Sequence, residues 1–241
     1  MCEHVNEVLN DPWAVFAEPL ERNPSDSSLT DNNVAPTLEQ LWSSRRRICD
    51  GKWRWLCDVC DVLDAGYDCE LGESLDSLVV KFRFVASEYS ICLHRSSDFP
   101  ESAPEVNSSL GAAFELNWNE DSTLLSTCSE YGELCSLFDA AIVECSEVDY
   151  PFKFIAWRLH PDEADCVMVE LSLLDEESGG ETRLTLVVEW RSPQSFPRSI
   201  HSSEPSRLRS IPFDRWDTAL SFGESLQRLF VRQKDVDAES I

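Results

Sequence analysis

Two prolines four residues apart constrain this chain more than any other feature. They stand in Asp98-Phe99-Pro100-Glu101-Ser102-Ala103-Pro104, directly behind two β-rich runs, Val79–Phe84 and Glu88–Leu93. Each proline fixes φ and removes a backbone donor, so the segment cannot be helix. It must leave a strand hairpin as a rigid, extended turn. Phe99, between strand and proline, is placed to seal the end of a core.

Composition bounds what surrounds that turn. The chain has 241 residues, room for one large domain or two of ordinary size. With 42% hydrophobic residues, eight Trp and twelve Phe, it can fill real cores. Its net charge of −25 argues against holding a nucleic-acid backbone directly and favours basic protein partners. Met1–Asn10 lacks the apolar run of a secretory signal, and no stretch approaches the roughly 18 apolar residues of a membrane span. The ten cysteines therefore read as thiols in a reducing nuclear or cytoplasmic compartment, most of them small core hydrophobes. Cys57-x-x-Cys60 has zinc-knuckle spacing but no second pair behind it, so neither a metal nor a cofactor is expected.

The pattern divides the chain into four parts. Residues 1–36 read as an acidic, flexible tail with a small apolar cluster at Trp13, Val15 and Phe16. Residues 37–149 form a first domain. Thr37-x-x-Gln40 has capping-box form, and a helix is expected to run from there to Asp50-Gly51, carrying the basic run Arg45-Arg46-Arg47 on a solvated face. Trp53, Trp55, Cys57 and Val59 alternate with Arg54, Leu56 and Asp58, a strand period whose second face is mixed. The strand hairpin, the proline turn, a short strand Phe114–Trp118 and a helix over 122–144 follow. Residues 150–233 repeat the layout: alternation over 152–157, 167–173 and 184–190, a turn at Ser178-Gly179-Gly180, a Ser/Pro/Arg-rich loop over 192–210, and a closing helix from Phe213 to Val231. Residues 234–241 are a second tail. The expected fold is α+β, two tandem domains each with an antiparallel meander packed with helices.

No catalytic centre stands out. A conjugating-type nucleophile needs a cysteine on a loop after the meander, near an Asn that stabilises the oxyanion. The first cysteine after Pro104 is Cys128, on the apolar face of a predicted helix. His160, before Pro161 at a strand end, reads as structural, and the sequence assigns His94 no role.

The ordered set Asp98–Pro104, the segment ending at Trp118, the helix with Tyr131, Leu134, Phe138, Ala140 and Ala141, then Arg158-Leu-His-Pro161, Cys166, Val169 and Trp190 resembles a known family. It is similar to the central region of the Fanconi anaemia complementation group L proteins, RING-type E3 ubiquitin ligases, over residues 38–232. The resemblance implies two RWD/UBC-like domains. It also implies a role in ubiquitination during DNA-crosslink repair, through protein–protein recognition in the nucleus. Family members add an N-terminal UBC-like domain and a RING. A RING needs about eight Cys/His ligands, and after Cys166 this chain has only His201. What remains is a part that binds ubiquitination substrates and ligase-complex subunits, without nucleic acid or membrane. Carried over by position, the expected partner-binding residues are Val167, Val169 and Leu186, with Trp157 and Leu171 added on alternation. The rival reading is an RWD-type scaffold subunit of another complex, such as a kinetochore, with no ubiquitin role.

Overall fold

The computed structural model describes residues 38–174, 179–208 and 213–230. Thr37, both expected tails and the Trp13–Phe16 cluster lie outside the described residues. The fold is α+β, with two four-stranded antiparallel sheets. In chain order the elements are α1 (Leu38–Asp64), β1 (Asp68–Leu71), β2 (Ser77–Arg83), β3 (Glu88–His94), β4 (Glu105–Ser108) and α2 (Leu124–Ser146), then β5 (Phe152–Leu159), β6 (Cys166–Leu174), β7 (Glu181–Glu189), β8 (Ser199–Ser202), a single turn α3 (Pro205–Leu208) and α4 (Phe222–Phe230). The sheets run in chain order, β1-β2-β3-β4 and β5-β6-β7-β8. The described residues fall into two compact units, one of residues 38–80, 92–106 and 117–127, the other of residues 81–91, 107–116 and 128–230.

In the first unit, α1 overturns two expectations. It does not stop at Asp50-Gly51, and Trp53–Val59 is not a strand but its continuation. Trp55, Leu56, Val59 and Val62 are buried at i, i+1, i+4 and i+7, one helical face. Arg54 pairs with Asp58 one turn on, at 2.9 Å. Gly51 has a packing role: a Cβ there would stand 2.3 Å from the Phe99 carbonyl oxygen. The glycine lets the helix touch the proline turn. Phe99 does seal the end of the core. It is 2% exposed, edge-on to Trp55 at 5.4 Å and beside Trp118 at 5.6 Å. The Trp118 indole N–H donates to the Pro100 carbonyl at 3.0 Å. The expected strand Phe114–Trp118 is absent; its aromatics pack by side chain while the backbone joins no ladder. The fourth strand is instead β4, immediately after Pro104.

Helix α2 begins at the end of the first unit and runs through the second from Cys128 onward. Thr123 and Ser126 cap its start reciprocally, Ser126 N–H to Thr123 Oγ1 at 3.1 Å and Thr123 N–H to Ser126 Oγ at 3.0 Å. Tyr131 donates its phenol to the Ser90 carbonyl at 2.9 Å. One turn beyond Cys135, Asp139 is buried and accepts backbone N–H bonds from Val85, Ala86 and Ser87 and the phenol of Tyr89, all between 3.0 and 3.2 Å. A single carboxylate thus caps the β2–β3 hairpin turn. Further along, Phe138 meets Trp157 at 5.3 Å and Trp190 at 5.4 Å.

The second sheet is built on cross-strand apolar pairs. Val167 faces Val188, Val169 faces Leu186 and Leu171 faces Leu184. The expected closing helix from Phe213 to Val231 is two pieces. A 3₁₀ turn spans Phe213–Arg215, and α4 begins only at Phe222. Ser221 is its cap: its Oγ accepts from Glu224 N–H, while Glu224 Oε2 accepts from Ser221 N–H at 2.9 Å. Gly223 lets α4 lie against the chain after α2, where a Cβ would meet the Glu147 carbonyl at 2.7 Å.

Candidate recognition surface

Of the five residues expected to bind a partner, four are core. Val167, Val169, Leu171 and Leu186 are each 0% exposed. The face they share is covered along its whole length, so they form no surface patch. Alternation identifies the apolar face of a strand and carries no record of whether that face is covered. Trp157 is half-buried on the same face, opposite Val169, and is held by Phe138.

The cysteines and histidines do not assemble a catalytic centre among the described residues. Cys128, Cys135, Cys145 and Cys166 are buried, and burial pushes the thiols of Cys135, Cys145 and Cys166 up to about 12. Burial also raises Cys57, Cys60 and Cys92. A nucleophilic thiol needs the opposite shift. Cys57 and Cys60 stand one turn apart on α1. His160 Nδ1 accepts from the backbone N–H groups of Asp162 and Glu163, closing the loop before β6. Cys92 Sγ lies 3.2 Å from His94 Nε2 on one face of β3, a pair that alternation placed and sequence reasoning overlooked.

At the β6 end of the second sheet, Arg198 gathers Glu163, Asp165 and Glu189. The Cys166 thiol donates to Glu163 at 3.2 Å, and this bond together with Arg198 holds the Glu163 carboxyl below its ordinary value. Burial pulls Asp165 upward, but the bond from its own backbone N–H and the nearby guanidinium outweigh that and keep it low. Glu163, Asp165 and Cys166 have ligand atoms within 4.8 Å of one another, the only such trio among the described residues. Arg198 ties Glu163 and Asp165 to Glu189, one guanidinium against three carboxylates, so the cluster is a clamp on the β5–β6 loop and the start of β8.

A concave surface follows the outer face of α2. One cavity of about 390 Å³ lies over Phe114, Leu134 and Trp190. A second, of about 320 Å³, lies over Leu137, Ala141, Trp190 and Pro193. Both share Trp190 and Arg191, so they form two halves of one groove. The helix contributes Glu130, Leu134, Leu137, Ala141 and Glu144, a stripe at helical spacing about 20 Å long. Leu137 is 60% exposed, large for an aliphatic side chain on a packed helix. Glu115, Glu130, Asp165 and Glu144 stand on the rim against Arg191, whose guanidinium lies 4.3 Å from the centre of the Trp190 ring. Trp190 is anchored below by its indole N–H to the Ala164 carbonyl at 3.0 Å.

No protein-family model matches the chain, and no curated protein sequence matches it.

The groove presents an exposed leucine above a rigid aromatic base and a mostly acidic rim. Trp190 was legible as a strand-end residue, but no sequence signal says that α2 and the β7–β8 loop meet above it. Among the described residues, no helix is long and apolar enough to cross a membrane.

Proposed function

We propose that this chain is a non-catalytic recognition part of a ubiquitin ligase resembling the Fanconi anaemia complementation group L proteins, made of two RWD/UBC-like domains. Its partners are ubiquitination substrates and subunits of the ligase complex, in DNA-crosslink repair, in the nucleus or cytoplasm. The observation that carries this reading is the doubled layout. A four-stranded antiparallel meander in strict chain order, then a helix, occurs twice, and a helix precedes the first copy. The buried Phe99 and the proline turn behind β3 support the same reading. A non-catalytic role is supported by Cys128, the first cysteine after that turn, which is 0% exposed inside α2. Incubation of the purified chain with ubiquitin, activating enzyme and ATP should leave it free of any thiol-sensitive ubiquitin adduct. An adduct lost on replacing one cysteine with serine would make the chain a conjugating enzyme and end this reading.

A further inference from the structure

The Arg198 clamp holds its three carboxylates with an internal guanidinium, no third ligand joins the Cys92–His94 pair among the described residues, and Asp139 is committed to the hairpin turn. The groove along α2 differs from these because it is open, apolar at its floor and charged at its edge.

We propose that this groove docks a short amphipathic segment of a partner protein, one that sets apolar anchors against Leu134 and Leu137 and basic side chains against the rim. The proposal rests on the recognition role argued above and adds where the contact is made and what chemistry it takes.

Three features lead to that occupant. The groove is fixed from beneath: Trp190, 3% exposed, packs against Phe138 at 5.4 Å and is tied to the Ala164 carbonyl, so a ligand meets walls that need not reorganise. An exposed leucine beside a rigid aromatic floor supplies the apolar anchor point of a groove that receives a helix or an extended strand. The rim sets the sign. Four carboxylates, Glu115, Glu130, Glu144 and Asp165, face one arginine, and that arginine is laid over the Trp190 ring. Asp165 is answered by Arg198 and Glu144 accepts from Gln194 at 2.7 Å, which leaves Glu115 and Glu130, both exposed, as the side chains best placed to meet an incoming base. The field of a chain with net charge −25 adds to the same preference. The chain's own N-terminal 36 residues carry seven acids and one arginine, the same sign as the rim, and do not suit it.

The test is a selection of short random peptides displayed on phage against the full chain, followed by binding measurements with the dominant peptide made synthetically. The expected winner carries apolar anchors interspersed with Lys or Arg. Its affinity should fall at least about tenfold for Leu137→Asp and for the double variant Glu115→Lys with Glu130→Lys. All three side chains are exposed, so the variants should melt as the parent does. The control reversal Glu73→Lys with Glu101→Lys changes net charge equally at residues that do not line the groove, and should leave affinity within about twofold. Exchanging the peptide's bases for Glu should restore binding to the groove reversal. The proposal is overturned if the winners are acidic or uncharged. It is overturned equally if the two reversals act alike, or if a synthetic peptide of residues 11–18 binds more tightly than the basic one. The parent reading fails separately. A chain that recovers a ligase complex undiminished by the groove variants keeps its recognition role and loses this site. A chain that binds the basic peptide but recovers no ligase complex keeps the site and loses the proposed pathway.

Discussion

Replacing Val169 and Leu186 together with aspartate should unfold the second sheet. The two residues face one another across β6 and β7 and are each 0% exposed. An uncompensated carboxylate in such a place costs about 3–5 kcal/mol, and two in direct register also repel one another. Domains of this size hold only about 5–15 kcal/mol in reserve. Circular dichroism and a thermal melt should therefore show loss of the cooperative transition, or a midpoint lowered by well over 10 °C. A variant that keeps the parent melt would mean that this face is open to solvent, as the sequence pattern suggested, and would return both residues to the interface. This outcome separates the packing seen in the fold from the partner-binding role expected of the same side chains.

Asp139→Ala should be the most damaging single polar substitution in the second unit. The carboxylate collects three backbone N–H groups of the turn after β2 and the Tyr89 phenol. A buried donor left without its acceptor costs about 1–3 kcal/mol. Val85 and Ala86 are exposed, so water can replace part of what they lose, whereas the Tyr89 hydroxyl is buried and has no such substitute. The net expectation is about 3 kcal/mol, read as a shift of the urea midpoint at constant slope. Asp139→Asn, which keeps one acceptor oxygen, should lose less. A loss below about 1 kcal/mol for the alanine variant would show that the turn does not lean on α2.

The parts of this fold visible in the sequence are those where one signal acts alone. The proline pair excludes helix whatever surrounds it, and Phe99 seals the core as its position suggests. The long apolar stripe of α2 appears at nearly its observed bounds, because helical spacing sustained over more than twenty residues has no strand equivalent. Where two signals compete, the wrong one can win. Trp53, Trp55, Cys57 and Val59 alternate, but Trp55, Leu56, Val59 and Val62 also share a helical face, and burial selects the second pattern. Gly51 looks like a stop because glycine usually ends helices, while its actual role, the close approach of Phe99, depends on a residue 48 positions away. Ser221-x-x-Glu224 is a capping box in plain view, and it marks where α4 begins more faithfully than the hydrophobic residues upstream. Strands β1, β4 and β8 have four residues each, too few for alternation to register.

The candidate surface was less legible for a related reason. Its floor residue Trp190, its helix stripe and its rim come from segments far apart in sequence, and each looks ordinary alone. Of the interface residues expected from the resemblance and from alternation, four of five are 0% exposed. A strand pattern reports which residues share a face, and only the rest of the fold decides whether that face is inside.

The most direct test of the central claim is affinity purification of the full chain from cells, with its partners quantified by mass spectrometry against a bait-free control. Recognition within a crosslink-repair ubiquitin ligase predicts enrichment of that ligase's subunits and of its ubiquitination substrates. Enrichment of kinetochore subunits in their place, or of no protein above the control, would contradict it.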